Sequence, residues 1–148
     1  MVVKRFFTCL VILIVSSFAE ASWKMSSEDV SFSKGVLKRT NLTFKGGGEV
    51  FNYLPREAPY LMTIRKKVLM DSGEVVFITG WSHGAQSTIF RVFAPGALRS
   101  TPVCELTSLS DEFEYKQEGA AVEIKILMSV TTEPKWTWSK CAWGEAEK

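Results

Sequence analysis

The chain of 148 residues holds one histidine, three cysteines and only five prolines. One histidine cannot supply the imidazoles of a typical zinc site, and so few cysteines cannot replace them. No metal or other cofactor is expected. Charge of one sign is also missing, since 18 Lys and Arg face 16 Asp and Glu. Phosphate binding needs a basic patch, so nucleic acid is excluded as the expected partner. A bilayer-spanning helix needs about 20 consecutive apolar residues, and the run from Phe6 to Val15 falls well short of that. Nor does any segment carry a convincing helical period, which sets aside helical bundles and alternating α/β folds.

What is present begins with an address. Lys4 and Arg5 precede the apolar run, and Ala19-Glu20-Ala21 follows it in the small-x-small form that signal peptidase accepts. Residues 1–21 are expected to be a cleaved signal peptide. The mature protein is expected to be secreted or periplasmic, with no integral membrane association. Cys9 leaves with the signal peptide, so Cys104 and Cys141 remain as an even pair in an oxidising compartment. A disulfide between them is the expectation. Closing such a loop is worth about 4 kcal/mol in the chain-entropy model, against the ~5–15 kcal/mol that holds a whole domain together.

After a flexible leader over 22–28, residues 29–144 read as one all-β domain, followed by a polar tail over 145–148. Val75-Val76-Phe77-Ile78 shows no polar alternation, as expected of a central strand covered on both faces. From Val122 to Val130 the pattern has period two: Val122, Ile124, Ile126, Met128 and Val130 on one face, Glu123, Lys125 and Ser129 on the other. Asp71-Ser72-Gly73, Pro95-Gly96 and Glu118-Gly119 mark turns. Gly46-Gly47-Gly48 lacks the Lys-Ser/Thr pair of a phosphate loop and is another turn. The expected architecture is a single small antiparallel meander, sandwich or barrel with one disulfide.

Gly80-Trp81-Ser82-His83-Gly84 matches G-x-S-x-G. With Val75 to Ile78 before it and Gln86, Thr88 and Arg91 after it, the stretch resembles the nucleophile-elbow region of bacterial lipases, which are α/β-hydrolases. That resemblance implies a serine hydrolase with Ser82 as nucleophile. The triad histidine, however, should follow the serine well downstream. Here His83 is the neighbour of Ser82, on a tight turn where adjacent side chains diverge, and nothing later can replace it. The expectation is therefore an exported, non-enzymatic binding or envelope protein, with no catalytic residue. Serine hydrolysis at Ser82 is the alternative.

Five tryptophans are many for this length, and three lie in the final strand-like run from Lys135 to Trp143. Alternation places Trp136 and Trp138 on one face, with Cys141 and Trp143 on the other. If Cys141 faces the core, Trp136 and Trp138 form either a covered surface or a stacking platform. Trp81 and His83 are expected on an exposed glycine-flanked loop. Trp81, His83, Trp136 and Trp138 are thus the candidate binding residues, and an unidentified protein or glycan is the candidate ligand.

Overall fold

Strand β5 (Val75–Ser82) sits in the middle of the architecture, and its alternation sorts the rest. Val76 and Ile78 point to one side, and Val75, Phe77 and Trp81 to the other, all buried. The computed structural model describes residues 22–32, 37–56, 61–82 and 87–144. The expected signal peptide (1–21), His83, Gly84 and Gln86, and the polar tail (145–148) lie outside them. Before β5 come β1 (Lys24–Phe32), β2 (Leu37–Gly46), β3 (Glu49–Tyr53) and β4 (Leu61–Leu69). After it come β6 (Thr88–Phe93), the single-turn helix α1 (Pro95–Leu98), β7 (Cys104–Ser108), β8 (Tyr115–Gln117), β9 (Ala121–Ser129) and β10 (Lys135–Ala142).

The described strands form three antiparallel sheets, each a meander, in the orders β1-β2-β3, β4-β5-β6-β7 and β10-β9-β8. The four-stranded sheet is covered on both faces, as the unbroken apolar run at Val75–Ile78 requires. On one face Val76, Ile78, Phe90 and Val92 pack against Val122, Ile124 and Ile126 of β9 and against Trp143. On the other, Phe77, Trp81 and Phe93 pack against Leu42 and Phe44 of β2 and Met25 of β1. Burying each of these large apolar side chains contributes about 1.5–3 kcal/mol. The Cys104–Cys141 disulfide joins β7, at the edge of the middle sheet, to β10 of the third sheet. It spans 37 residues of sequence, as expected.

Three local expectations change. Residues 24–28, expected in a flexible leader, belong to β1, which pairs with β2 from Lys24↔Lys45 to Phe32↔Leu37. This strand reads Lys-Met-Ser-Ser-Glu-Asp-Val-Ser-Phe, so alternation hardly marks it. Its hold comes instead from the backbone ladder, from buried Met25 and from an Arg65 bond to the Met25 carbonyl. Trp23 stacks on Phe51 at 5.6 Å and fills the space where a Cβ on Gly46 would come within 2.6 Å of its ring.

The expected loop at Gly80 is strand. Gly80 pairs with Ile64 and Phe90, and a Cβ there would meet Ile64 at 2.8 Å. Close packing, not a turn, is what needs this glycine. Irregular pairing between Met62 and Ile64 sends Met62 to one core and Ile64 to the other. A second shift sits between Lys135 and Trp136, where Ser129 and Leu127 find their partners and Met128 is passed over. The period-two face of β9 therefore ends at Ile126, and Met128 and Val130 are exposed.

Candidate functional site

The G-x-S-x-G motif is divided between core and cavity. Trp81 is fully buried, which corrects the expectation of an exposed recognition ring. Its position on β5 turns it into the packed side facing the first sheet. There its indole Nε1–H donates to Thr79 Oγ1 (2.7 Å), and that hydroxyl donates to the Arg91 carbonyl (2.9 Å). The Tyr53 ring meets Trp81 edge-on at 5.9 Å. A buried indole that finds its acceptor inside the fold is a core residue by its contacts.

Ser82 ends β5, paired with Leu61 and Thr88. It lines a cavity of about 400 Å³ together with Thr63, Ser87, Thr88, Ser110 and Asp111. An elbow places its serine between a strand of a parallel sheet and a helix. Here β5 is antiparallel to both neighbours, and by Thr88 the chain is already back in the same sheet. The lipase resemblance thus stops at the sequence and does not extend to the fold. His83 lies outside the described residues.

Sequence inspection undervalued Arg91. It was legible as the one charge inside the apolar run Ile89–Phe93, and the structure keeps it 7% exposed. Its guanidinium lies 5.2 Å from the Trp81 ring centre and 5.7 Å from that of Tyr53, and Nη2 is 3.3 Å from Glu105 Oε2. Burial raises the pKa of the Tyr53 hydroxyl. The Arg91 charge opposes that rise, and Glu105 adds to it. Paired residues on neighbouring strands put Arg91 and Glu105 side by side.

The third sheet resolves the question of the C-terminal tryptophans. Cys141 and Trp143 are buried against the middle sheet, and Trp136 and Trp138 lie on the outer face. Trp136 pairs with Leu127, which is buried yet belongs to neither core, and is itself half-buried. Trp138 is 38% exposed. Lys116 Nζ stands 4.3 Å from the Trp138 ring centre and Lys125 Nζ 5.4 Å from that of Trp136.

Each of these ammoniums also meets a carboxylate: Lys116 with Glu123 at 3.3 Å and Lys125 with Glu114 at 3.4 Å. Lys140 and Glu118 extend the series at 3.9 Å. Two indoles, three ammoniums and three carboxylates therefore share one open sheet face. It can stack against a flat ring and exchange hydrogen bonds with hydroxyls around it. Trp81 lies on the far side of the middle sheet from this face, so it does not share a site with Trp136 and Trp138. Among protein families, curated proteins and solved structures, nothing matches the chain.

Proposed function

We propose that this is an exported, non-enzymatic binding protein that holds a glycan on the outer face of its C-terminal sheet. The carrying observation is Trp138, an indole 38% exposed on a sheet edge with the Lys116 ammonium 4.3 Å from its ring centre. Leaving a large aromatic in water forgoes the burial that Phe44, Phe77, Trp81, Phe90, Phe93 and Trp143 obtain. Charged groups of both signs around the indole favour a polyhydroxylated chain over an apolar protein surface. Sugar rings stack on the indole, and ammonium and carboxylate groups bond to the hydroxyls. Export is supported by the Lys4-Arg5 to Ala21 leader and by the Cys104–Cys141 disulfide, which an oxidising compartment preserves.

The test is a titration of the purified protein with envelope oligosaccharides, followed by tryptophan fluorescence. Trp138→Ala, read by titration calorimetry because it also removes the reporting indole, should abolish a saturable response and move the melting temperature by no more than about 3 °C. A response that survives Trp138→Ala, or none from any oligosaccharide, would count against the proposal. Hydrolysis at Ser82 is the second reading, favoured by the hydroxyl-lined cavity into which that side chain opens. Turnover of short-chain esters that disappears in Ser82→Ala would establish it.

A further inference from the structure

On the opposite side of the molecule from Trp138 lies a cavity of about 310 Å³, beside β3 and β7. We propose that it is a second binding site, which takes a small organic carboxylate against the Arg91 guanidinium. Arg91 forms its buried floor, Tyr53, Pro55 and Pro102 give it apolar walls, and Arg56 stands exposed at its rim. Arg39 Nη1 donates to the Pro55 carbonyl (3.2 Å) and holds that wall. Glu105 also lines the cavity and reaches Arg91 through one oxygen.

Three features select the ligand. The described lining carries two cations against one anion, so the cavity favours negative charge. A guanidinium is a planar fork that suits the two oxygens of a carboxylate. Its plane is fixed here, because it lies against both Trp81 and Tyr53 and loses little freedom on binding. The ring of Tyr53 and the two prolines suit an apolar body attached to the carboxylate, and the volume matches a small-molecule site. Glu105 then holds the place of the ligand. Its side chain is 54% exposed, so it can swing into water while the incoming carboxylate takes over Arg91.

This site is independent of the glycan face, because Arg91 lies on the side of the middle sheet that faces the first sheet and Trp138 on the outer face of the third. Trp81 beneath Arg91 supplies a reporter through its indole N–H resonance. The experiment titrates the folded protein with phenylacetate at millimolar concentrations, with phenethylamine and inorganic phosphate as separate arms. Phenylacetate should shift the Trp81 resonance saturably and phenethylamine should not. Glu105→Gln, a change at a half-exposed position, should tighten phenylacetate binding by about three- to tenfold by removing the competing carboxylate. Arg56→Ala should weaken it by about threefold through loss of a rim charge. No saturable shift in either wild type or Glu105→Gln would overturn the proposal. So would unchanged affinity in Glu105→Gln, phosphate binding as tight as phenylacetate, or a preference for the amine.

Discussion

The two faces of the middle sheet are built by different means. Toward the third sheet, valines, isoleucines and Phe90 meet valine and isoleucine, and the Cys104–Cys141 bond closes the layer. Toward the first sheet, the core is largely aromatic, and a polar chain runs through it from Trp81 to Thr79 to the Arg91 backbone, with the Arg91 guanidinium stacked alongside. The same strand, β5, supplies both sides with alternate residues. Stability on the first side comes from area and a covalent clamp. On the second it depends on each buried polar group keeping its partner, so the two faces should break in different ways.

The largest difference should come from the clamp. Replacing Cys104 and Cys141 together with serine should cost about 4 kcal/mol in urea denaturation, with the slope altered because the unfolded chain is less constrained. A loss below about 1 kcal/mol would mean that aliphatic packing alone secures the third sheet.

On the other side, Thr79→Val keeps the shape of the side chain but strands the Trp81 indole N–H in the core. The expected cost is about 1–3 kcal/mol. Thr79→Ser, which restores the hydroxyl, should recover part of it in the same denaturation experiment. If valine is tolerated without loss, the polar chain is incidental to the aromatic core.

A pH titration sharpens the contrast further. Burial raises the Tyr53 pKa above its ordinary value of 10.0, so folding favours the neutral phenol. The stability that follows is fully present below that ordinary value and is lost as pH rises through the raised one. Tyrosinate absorbance should therefore show a component that ionises later in the native protein than in urea. Tyr53→Phe should remove that late component.

The smallest effect should belong to the outer face. Trp138→Ala removes a ring that packs on one side only, and its cost should stay within about 0.5 kcal/mol. A larger loss would mark Trp138 as part of the scaffold.

Much of this contrast was legible before any coordinates. The unbroken run Val75–Ile78 announced a strand buried on both faces, and the spacing of Cys141 and Trp143 put Trp136 and Trp138 on the opposite side. The all-β class followed from alternation and turn spacing, and the Cys104–Cys141 pairing from the expected loss of Cys9 with a signal peptide. Other features were hidden for physical reasons. Lys24–Phe32 is held by backbone pairing and one buried methionine, which leave almost no alternation in its sequence. Gly80 looked like a turn because a glycine demanded by Ile64 at close range is indistinguishable, in one dimension, from one demanded by a loop. That misplacement brought Trp81 to the surface in the sequence reading and concealed its link with Arg91. The irregularity at Met128 could not be seen because it exists only as a mismatch between β9 and β10.

The central claim is that recognition belongs to the outer face of the third sheet and not to the G-x-S-x-G stretch that first draws the eye. Oligosaccharide titrations on Trp138→Ala and Ser82→Ala, both checked for a melting temperature within about 3 °C of wild type, test it most directly. The account predicts that binding is lost in Trp138→Ala and retained in Ser82→Ala. Binding that survives in Trp138→Ala and disappears in Ser82→Ala would contradict it.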